Sequence, residues 1–296
     1  MHIQHIAFAI CIALVWGFTF IAAKAGVTAF PPLWFTGLRF VLVALLLSFY
    51  IRPLGARLRP VLLVAATAGV IHYGLFYLGI RLAGQVSAIA ITVQLVSPFS
   101  LLLAALMLQE HIGWRRILGM ALAFAGVVVL GFDPVIFRHI DGLGLVMLAA
   151  MSMSLALILM RRLRNVGVLE LQAWIALVSA PPILLLSLLL ERGQMAAMLG
   201  ADWIGIGAVA FTAVGASILG QGGWYYLLQR YPVSQVTPFG LLAPVTGVLF
   251  AVLIYDEALS LRFLAGGSLT MIGVAIITLR SRNVPPVAAT GEHRHS

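Results

Sequence analysis

Long apolar runs separated by short polar breaks extend along nearly the whole chain. A bilayer core about 30 Å thick requires about 20 consecutive apolar residues per helix, and ten such runs can be marked in the sequence. No break is long enough to hold a soluble domain, so the pattern predicts an all-α membrane protein with ten transmembrane helices. The predicted helices span residues 4–23, 33–51, 61–80, 86–109, 115–132, 142–160, 171–190, 203–227, 234–255 and 262–280.

One five-helix pattern is written twice, and the two copies are in register over about a hundred residues. The first copy contains Ser87, Glu110, Gly119 and Gly126, which recur 147 positions later as Ser234, Glu257, Gly266 and Gly273. Because each copy has an odd number of spans, the second copy is inserted upside down, as in the inverted repeats of many secondary transporters. We place the repeats at residues 1–140 and 141–282, followed by a disordered cytoplasmic tail at 283–296.

The distribution of charge follows the membrane. The net charge is +9, yet 62% of the residues are hydrophobic and only 9% are charged. Twelve arginines fall in the loops and tail on the N-terminal side of the predicted topology, against five basic residues on the other side. Cytoplasmic loops are enriched in Lys and Arg, so both termini are predicted to be cytoplasmic. We expect a multi-pass protein of a bacterial inner membrane, and no nucleic-acid partner.

Neither metal nor cofactor chemistry is indicated by the sequence. Cys11 is the only cysteine, so one chain can form neither a disulfide nor a Cys-based metal site. A Gly-rich phosphate loop ending in Gly-Lys-Ser/Thr is missing, which argues against ATP hydrolysis. No acidic residue lies near the middle of an apolar run, so a relay of buried carboxylates for protons or sodium has no obvious residues. We expect no cofactor, no metal ion, and facilitated or exchange transport.

Several short motifs occur in a fixed order along the chain. The first run contains Trp16-Gly17-Phe18-Thr19-Phe20, and the fourth contains Ser97-Pro98, with Glu110 twelve residues after the proline. The second copy repeats the latter motif as Ala243-Pro244 and Glu257. These motifs resemble those of the drug/metabolite transporter superfamily, specifically its EamA-type ten-helix exporters, over almost the whole chain. The resemblance implies a basket-like bundle that exports amino acids or related metabolites, most like the exporters of aromatic and neutral amino acids.

Arg39 is a charged residue well inside the second apolar run. An arginine at mid-helix costs roughly +2.5 to +3.5 kcal/mol on translocon scales, and less near a helix end, where its side chain reaches the interface. One interpretation is a cation that faces a polar cavity and binds the carboxylate of a zwitterionic substrate. The other is an arginine that reaches the interface or pairs with helix-end carbonyls. The sequence leaves both interpretations open.

Polar and aromatic side chains occupy matching depths in the third and eighth runs, in clusters that begin at His72 and Gln221. An inverted repeat places a central site at such a depth, and aromatic rings there can attract an ammonium group. Anchoring at the membrane interface is the alternative for Trp and Tyr. The predicted substrate-binding set is Trp16, Arg39, His72, Tyr73, Tyr77, Gln94, Gln221, Trp224 and Tyr225.

Prolines interrupt the fourth and ninth runs. A proline removes one backbone hydrogen bond and kinks the helix, and in a membrane the freed carbonyl must be satisfied by protein, water or substrate. Pro98, Pro238 and Pro244 are therefore predicted to break their helices beside the transport pathway and to contribute to gating. The alternative is that the polar faces of these helices serve only helix packing.

Spaced glycines and two glutamates have structural interpretations. The glycine pairs of the fifth and tenth runs are predicted to let helices pack closely. Glu110 and Glu257 follow the fourth and ninth runs and are predicted to satisfy the start of the next helix.

Together these patterns predict a secondary transporter that exports aromatic or neutral amino acids, or similar small metabolites, by alternating access. The expected partners are a small-molecule substrate and the lipid bilayer, and the chain is compatible with a monomer or a homodimer. The alternatives are an exporter of drugs or other metabolites, a passive channel and an intramembrane enzyme. The enzyme is disfavoured, because His72 with Ser97 or Ser217 offers the only Ser–His pairs and no Gly-x-Ser-x-Gly elbow is present.

Overall fold

A computed structural model describes residues 1–161, 163 and 166–279, except for the side chains of Val233 and Ser234. The predicted tail at 283–296, Arg162, Arg164, Arg280 and the Ser234 side chain therefore lie outside the described residues. The described part of the chain is helical and contains no strand.

Nine helices of the described residues are long and apolar enough to cross a membrane, and a shorter apolar helix of 15 residues completes a set of ten. The chain is thus a multi-pass membrane protein, and the all-α prediction is confirmed. The ten helices are α1 Ile3–Ala29, α2 Pro32–Leu46, α3 Gly55–Leu82, α4 Val86–Leu108, α5 Trp114–Gly131, α6 Ile140–Met160, α7 Val168–Leu190, α8 Trp203–Arg230, α9 Gln235–Tyr255 and α10 Leu261–Leu279.

The ends of α1 and α2 differ from the predicted bounds. Helix α1 continues beyond residue 23 because the ammonium group of Lys24 donates to the carbonyls of Ile80 (3.2 Å) and Ala83 (3.1 Å), which keeps this charge inside the protein. Helix α2 ends before residue 51 because the backbone leaves the helical region at Leu47, with φ −100° and ψ 10°, and continues as a short 3₁₀ turn.

The two repeats are inverted, as the contacts between corresponding helices demonstrate. Gly119 of α5 packs on Gly273 of α10, where a Cβ would lie 2.8 Å from the glycine carbonyl oxygen. Gly126 and Gly266 approach as closely, because a Cβ on Gly266 would lie 2.6 Å from the Gly126 oxygen. Positions 119 and 266 are equivalent, as are 126 and 273, so each contact is the two-fold image of the other. The predicted glycine packing is confirmed, and the pseudo-two-fold axis passes between α5 and α10.

Irregular helix segments recur at matching places in the two repeats. Helix α3 contains a π-helical segment at Ala65–His72, and α8 contains one at Phe211–Gln221. Helix α4 contains a 3₁₀ turn at Val93–Leu95, and the equivalent part of α9 has a turn at Leu241. π-Helical turns are rare and are frequently found at functional sites. The matched segments of α3 and α8 therefore indicate the part of the bundle in which to look for a site.

The close contact between α5 and α10 predicts that Gly126→Ala destabilises the fold. A Cβ on Gly126 would lie 2.5 Å from the Gly266 carbonyl oxygen, so the helices must separate at an estimated cost of about 1–3 kcal/mol. We expect a lower midpoint of thermal unfolding for the purified protein in detergent.

Gly207→Ala is the matched control for this experiment. A Cβ on this glycine of α8 meets no atom within 4 Å, so its unfolding midpoint should stay unchanged or rise slightly, because alanine favours helix. Equal unfolding midpoints for the two variants would contradict the packing assigned to α5 and α10.

Candidate functional site

A cavity of about 590 Å³ lies where the two repeats meet, with walls from α1 to α4 of the first repeat and from α6, α8 and α9 of the second. Eight of the nine predicted binding residues line it. They are Trp16, Arg39, His72, Tyr73, Tyr77, Gln94, Gln221 and Trp224.

The ninth predicted residue, Tyr225, lies outside this cavity. It lines a separate hollow of about 340 Å³ together with Tyr50, Arg52 and Tyr226, and its side chain is 39% exposed. Successive helical residues point about 100° apart, so Trp224 faces the central cavity while its neighbour does not. Of these two neighbouring aromatic residues of α8, only Trp224 lines the central cavity.

Arg39 is buried in the wall of the cavity and is 3% exposed. Its Nε donates to the carbonyl of Thr212 (3.1 Å), Nη1 to the hydroxyl of Tyr77 (3.0 Å) and Nη2 to the hydroxyl of Ser217 (2.8 Å). The guanidinium carbon lies 4.1 Å from the centroid of the Tyr73 ring. Arg39 therefore stays inside the bundle instead of reaching the interface, and the carbonyl that it binds is at mid-helix.

The positive charge of Arg39 is held by neutral groups. No carboxylate in the described part of the chain bonds it, since the one ion pair found there joins Arg161 to Glu110 at the surface. A buried charge without a counter-charge is costly, although hydrogen bonds and a cation–π contact offset part of that cost. The guanidinium has five N–H donors, and the bonds to Thr212, Tyr77 and Ser217 occupy three of them.

Two contacts fix α2, which carries Arg39. The carboxylate of Glu191, just after α7, accepts the backbone N–H groups of Leu33 (2.8 Å) and Trp34 (3.1 Å) at the start of α2. Further along, Gly37 packs directly on Leu184 of α7. The depth of Arg39 in the bundle is thus set by contacts that do not involve its own side chain.

The π-helical segment of α8 provides two of the three hydrogen-bond partners of Arg39. The carbonyl of Thr212 accepts from Arg39 and also from the hydroxyl of Ser217 (3.1 Å). The segment in α3 is satisfied similarly, because Ser179 donates to the carbonyl of Ala65 (3.1 Å) and Ser152 to that of Thr67 (2.8 Å). Each π-helical segment is therefore stabilised by polar side chains from neighbouring helices.

His72 of α3 lines the cavity and contacts α6. Its ring is 5% exposed, and Nδ1 lies 2.8 Å from the carbonyl of Ala149. The imidazole stacks on Phe76, with centroids 5.7 Å apart, and meets Tyr73 edge-on at 4.7 Å. The ring is thereby held in one orientation by hydrogen bonding and aromatic packing.

Two tryptophans form the apolar part of the cavity. The rings of Trp16 and Trp224 lie 5.1 Å apart, and the indole nitrogen of Trp16 donates to the carbonyl of Ala216 (3.3 Å). Trp16 also fills the space beside Gly220, where any side chain would collide with it. The first helix of one repeat is thus joined to α8 of the other at the cavity.

The prolines of α4 and α9 lie in or near the wall of the same cavity. Pro98 and Pro244 lack the N–H that would bond the carbonyls of Gln94 and Gly240 four residues earlier. Both of these residues line the cavity, as does Pro244 itself. Pro98 is buried in α4, and Pro238 lies inside α9 one residue from the lining Thr237.

On the side of the bundle where α1 ends, hydrogen bonds join the ends of neighbouring helices. The carboxylate of Glu257, after α9, accepts the backbone N–H groups of Val86 (2.5 Å) and Ser87 (3.0 Å) at the start of α4. The hydroxyl of Tyr255 donates to the carbonyl of Ile21 (3.3 Å). Glu257 therefore binds a helix of the other repeat, and the prediction that it satisfies the next helix is wrong. The reason is the inversion, which places the end of α9 beside the start of α4.

The side where α1 begins is arranged differently. Glu110, the equivalent of Glu257, lies at the surface and pairs with Arg161 at 2.7 Å. The prediction that Glu110 satisfies the start of the next helix, α5, is therefore also wrong. The cavity-lining Leu157, Trp224 and Thr237 belong to the halves of their helices nearer this side, so the cavity extends toward it.

Sequence reasoning missed two residues of the site. Thr212 and Ser217 hold Arg39, yet only Ser217 was considered, and only as half of an enzymatic dyad. In the described residues no such dyad forms, because Ser217 bonds Arg39 and Thr212 whereas His72 bonds Ala149. Two hydroxyl residues five positions apart in an apolar run are the signal that would have identified them.

Comparison with known proteins gives a consistent picture. The EamA-like transporter family matches the chain twice, over residues 4–132 and 141–279. A probable amino-acid metabolite efflux pump of Salmonella typhimurium is 32% identical over 276 residues, covering 90% of this chain and 92% of that protein. Its Escherichia coli counterpart is 31% identical over 277 residues, with the same coverage.

More distant relatives share the architecture. An uncharacterized inner membrane transporter of Escherichia coli, YedA, is 24% identical over 288 residues, which cover 93% of this chain and 92% of that protein. One solved crystal structure matches with a TM-score of 0.62 at 20% identity, covering 93% of this chain and 96% of the other. That likeness establishes the fold alone.

The hydrogen bond between Arg39 and Tyr77 predicts that Tyr77→Phe destabilises the protein. A buried hydrogen bond to a charged group contributes about 1.5–3 kcal/mol. Removal of the Tyr77 hydroxyl leaves one guanidinium N–H of Arg39 without its acceptor. We expect a lower midpoint of thermal unfolding in detergent.

Tyr255→Phe is the control, since it removes the same hydroxyl from a longer bond (3.3 Å) to the neutral carbonyl of Ile21. Its effect on the unfolding midpoint should be smaller, at about 1 kcal/mol or less. A Tyr255→Phe effect that equals or exceeds that of Tyr77→Phe would contradict the importance given to the charged bond.

Proposed function

The chain belongs to the EamA-like transporter family, and on that premise we propose that it exports aromatic or neutral amino acids across the bacterial inner membrane by alternating access. The observation that carries this proposal is the buried guanidinium of Arg39, which faces an aromatic cavity and has no carboxylate partner among the described residues. A substrate carboxylate supplies the missing counter-charge. A cation here therefore favours substrates that bear an acid group.

The remaining walls of the cavity favour a neutral side chain. A volume of about 590 Å³ is within the range of small-molecule sites, and the lining is largely aromatic and aliphatic. The lining contains no aspartate or glutamate among the described residues, so a lysine-like or arginine-like side chain finds no counter-charge. The rings of Trp16 and Trp224 offer flat apolar surface, on which an aromatic or aliphatic side chain can pack.

The names of the relatives agree with an amino-acid substrate. The two efflux pumps that are about a third identical to this chain are described as probable amino-acid metabolite exporters. An exporter of other carboxylate metabolites remains the second candidate, because Arg39 attracts any carboxylate. The two candidates differ in whether the substrate needs an amino group.

Alternating access is supported by the different partners of two equivalent glutamates. Glu257 caps the start of α4 on one side, whereas Glu110 pairs with Arg161 at the opposite surface. Inverted repeats convert one state into the other by exchanging the conformations of their halves. In the exchanged state, Glu110 caps the start of α9 while Glu257 releases α4.

The orientation of this cycle follows from the charge asymmetry. With both termini in the cytoplasm, as the arginine distribution favours, the cavity extends toward the cytoplasm and the capped side is periplasmic. The structure then corresponds to the state that loads substrate for export. Lys24 contributes to the periplasmic closure through its bonds to Ile80 and Ala83.

The proposal predicts that Arg39→Gln slows amino-acid transport at least tenfold. Counterflow in liposomes that contain only this protein, with labelled aromatic, aliphatic, hydroxyl and charged amino acids, measures the effect. The wild type should show saturable, stereoselective uptake of neutral amino acids, which a passive channel does not show. Arg39→Gln should lose at least tenfold in rate, because a charge-assisted hydrogen bond contributes about 1.5–3 kcal/mol.

Arg138→Gln is the control for this test, since it removes an exposed arginine outside the cavity and should leave uptake unchanged. Folded Arg39→Gln protein that transports normally would remove Arg39 from the binding site. Uptake of des-amino carboxylates with no uptake of amino acids would favour the second candidate.

The capping arrangement predicts that Glu257→Gln changes the exposure of the cavity in the resting state and that Glu110→Gln does not. In a Cys11→Ala background, a Ser97→Cys reporter on the cavity wall is labelled with a membrane-impermeant maleimide from each side of vesicles. Glu257→Gln should increase labelling from the periplasmic side, since the amide is a weaker cap than the carboxylate.

Glu110→Gln should leave the labelling of the resting state unchanged and slow counterflow, because it weakens only the exchanged state. If Glu257→Gln shows the same labelling from both sides as its parent, the cap does not hold the periplasmic closure.

A further inference from the structure

We propose that His72 accepts a hydrogen bond from the ammonium group of the substrate and so fixes the orientation of the amino acid relative to Arg39. This inference rests on the proposed function and adds a requirement for the α-amino group. It concerns the second charged group of the substrate, for which the cavity offers no carboxylate among the described residues.

The hydrogen bond to Ala149 determines the proton position on His72. A carbonyl oxygen can only accept, so Nδ1, which lies 2.8 Å from it, carries the hydrogen. In the neutral imidazole the lone pair is then on Nε2. No group in the described part of the chain bonds Nε2, and the residue lines the cavity. His72 therefore offers one fixed acceptor to a ligand.

Arg39 lies close to His72. The guanidinium of Arg39 and the ring of His72 contact the same Tyr73 ring, at 4.1 Å and 4.7 Å. A fixed cation and a fixed acceptor thus contact one tyrosine ring, and an amino acid bears its carboxylate and its ammonium group on the same carbon.

The two side-chain amides of the cavity are held less firmly than His72. The side-chain amides of Gln94 and Gln221 line the cavity but make no hydrogen bond within the described residues, so each amide can rotate to present its oxygen or its nitrogen. His72 and Gln221 also end the π-helical segments of α3 and α8 at equivalent positions. Of this equivalent pair, only His72 is fixed by the backbone of a third helix, which makes it the residue that sets orientation.

The experiment compares an amino acid with its des-amino acid in the reconstituted protein. The probes are phenylalanine with 3-phenylpropionate, and leucine with 4-methylpentanoate, each used as a competitor of counterflow. Both members of a pair carry the carboxylate that Arg39 binds, and only the amino acid carries the ammonium. The preference of the wild type for the amino acid should be roughly tenfold or more, since a hydrogen bond to a charged group has about that effect.

Two conservative variants separate the acceptor from the anchor. His72→Asn places its amide near the position of Nδ1, so it keeps the bond to Ala149 and presents nothing at Nε2. His72→Gln reaches the position of Nε2 and can present its oxygen there. We expect His72→Asn to lose the preference, by weaker binding of the amino acid and unchanged binding of the des-amino acid, and His72→Gln to retain most of it.

If His72→Asn does not fold, His72→Phe replaces it, because a phenyl ring keeps the stacking on Phe76 and offers no acceptor. Two results would overturn the inference: an intact preference in the variant that lacks the acceptor, or equal losses for both members of a pair. Wild-type protein that binds the des-amino acids as well as the amino acids would overturn it too. If the wild type binds neither member of either pair, the proposed function fails, which is a distinct outcome.

Discussion

The need to satisfy every backbone polar group inside a lipid bilayer governs this structure. A regular helix meets that need by itself, and an irregular one meets it only where protein or a water-filled cavity supplies the missing partners. The π-helical segments of α3 and α8 have such partners, in Ser179 and Ser152 for one and in Arg39 and Ser217 for the other. The irregular backbone and the polar side chains therefore occur together, and the cavity lies where they meet.

Inversion gives the two repeats the same irregularities, but their chemistry differs. The turns of α4 and α9 lie at equivalent positions, and left-handed residues, Gln109 and Asp256, end both helices with φ of 54° and 51°. The cation of the cavity belongs to the first repeat alone, and His72 of that repeat is matched by a glutamine in the second. The backbone irregularities are therefore symmetric, whereas the polar side chains of the cavity are not.

Most of the fold could be predicted, because the hydropathy pattern and the 147-residue repeat can both be read directly from the sequence. The central depth of His72 and Gln221 followed from the same symmetry. Helix ends were predicted less well, since the bonds of Lys24 to Ile80 and Ala83 join residues more than fifty positions apart. Neighbouring aromatic residues, such as Trp224 and Tyr225, could not be separated, because a small rotation of α8 decides which one faces the cavity. The partner of Glu257 was missed because it belongs to the other repeat.

Under the proposed function, Arg39 connects substrate binding to the contact between the repeats. Its backbone belongs to α2, whose start is fixed by Glu191, and two of its hydrogen bonds are to the π-helical segment of α8 in the second repeat. A carboxylate at this guanidinium competes with Thr212 and Ser217 for the positive charge and weakens their hold on it. Under the proposed function, ligand binding therefore acts on the contact between α2 and α8. Alternating access between inverted repeats requires such contacts to change, and a substrate that binds one conformation more tightly than the other supplies the free energy for that change.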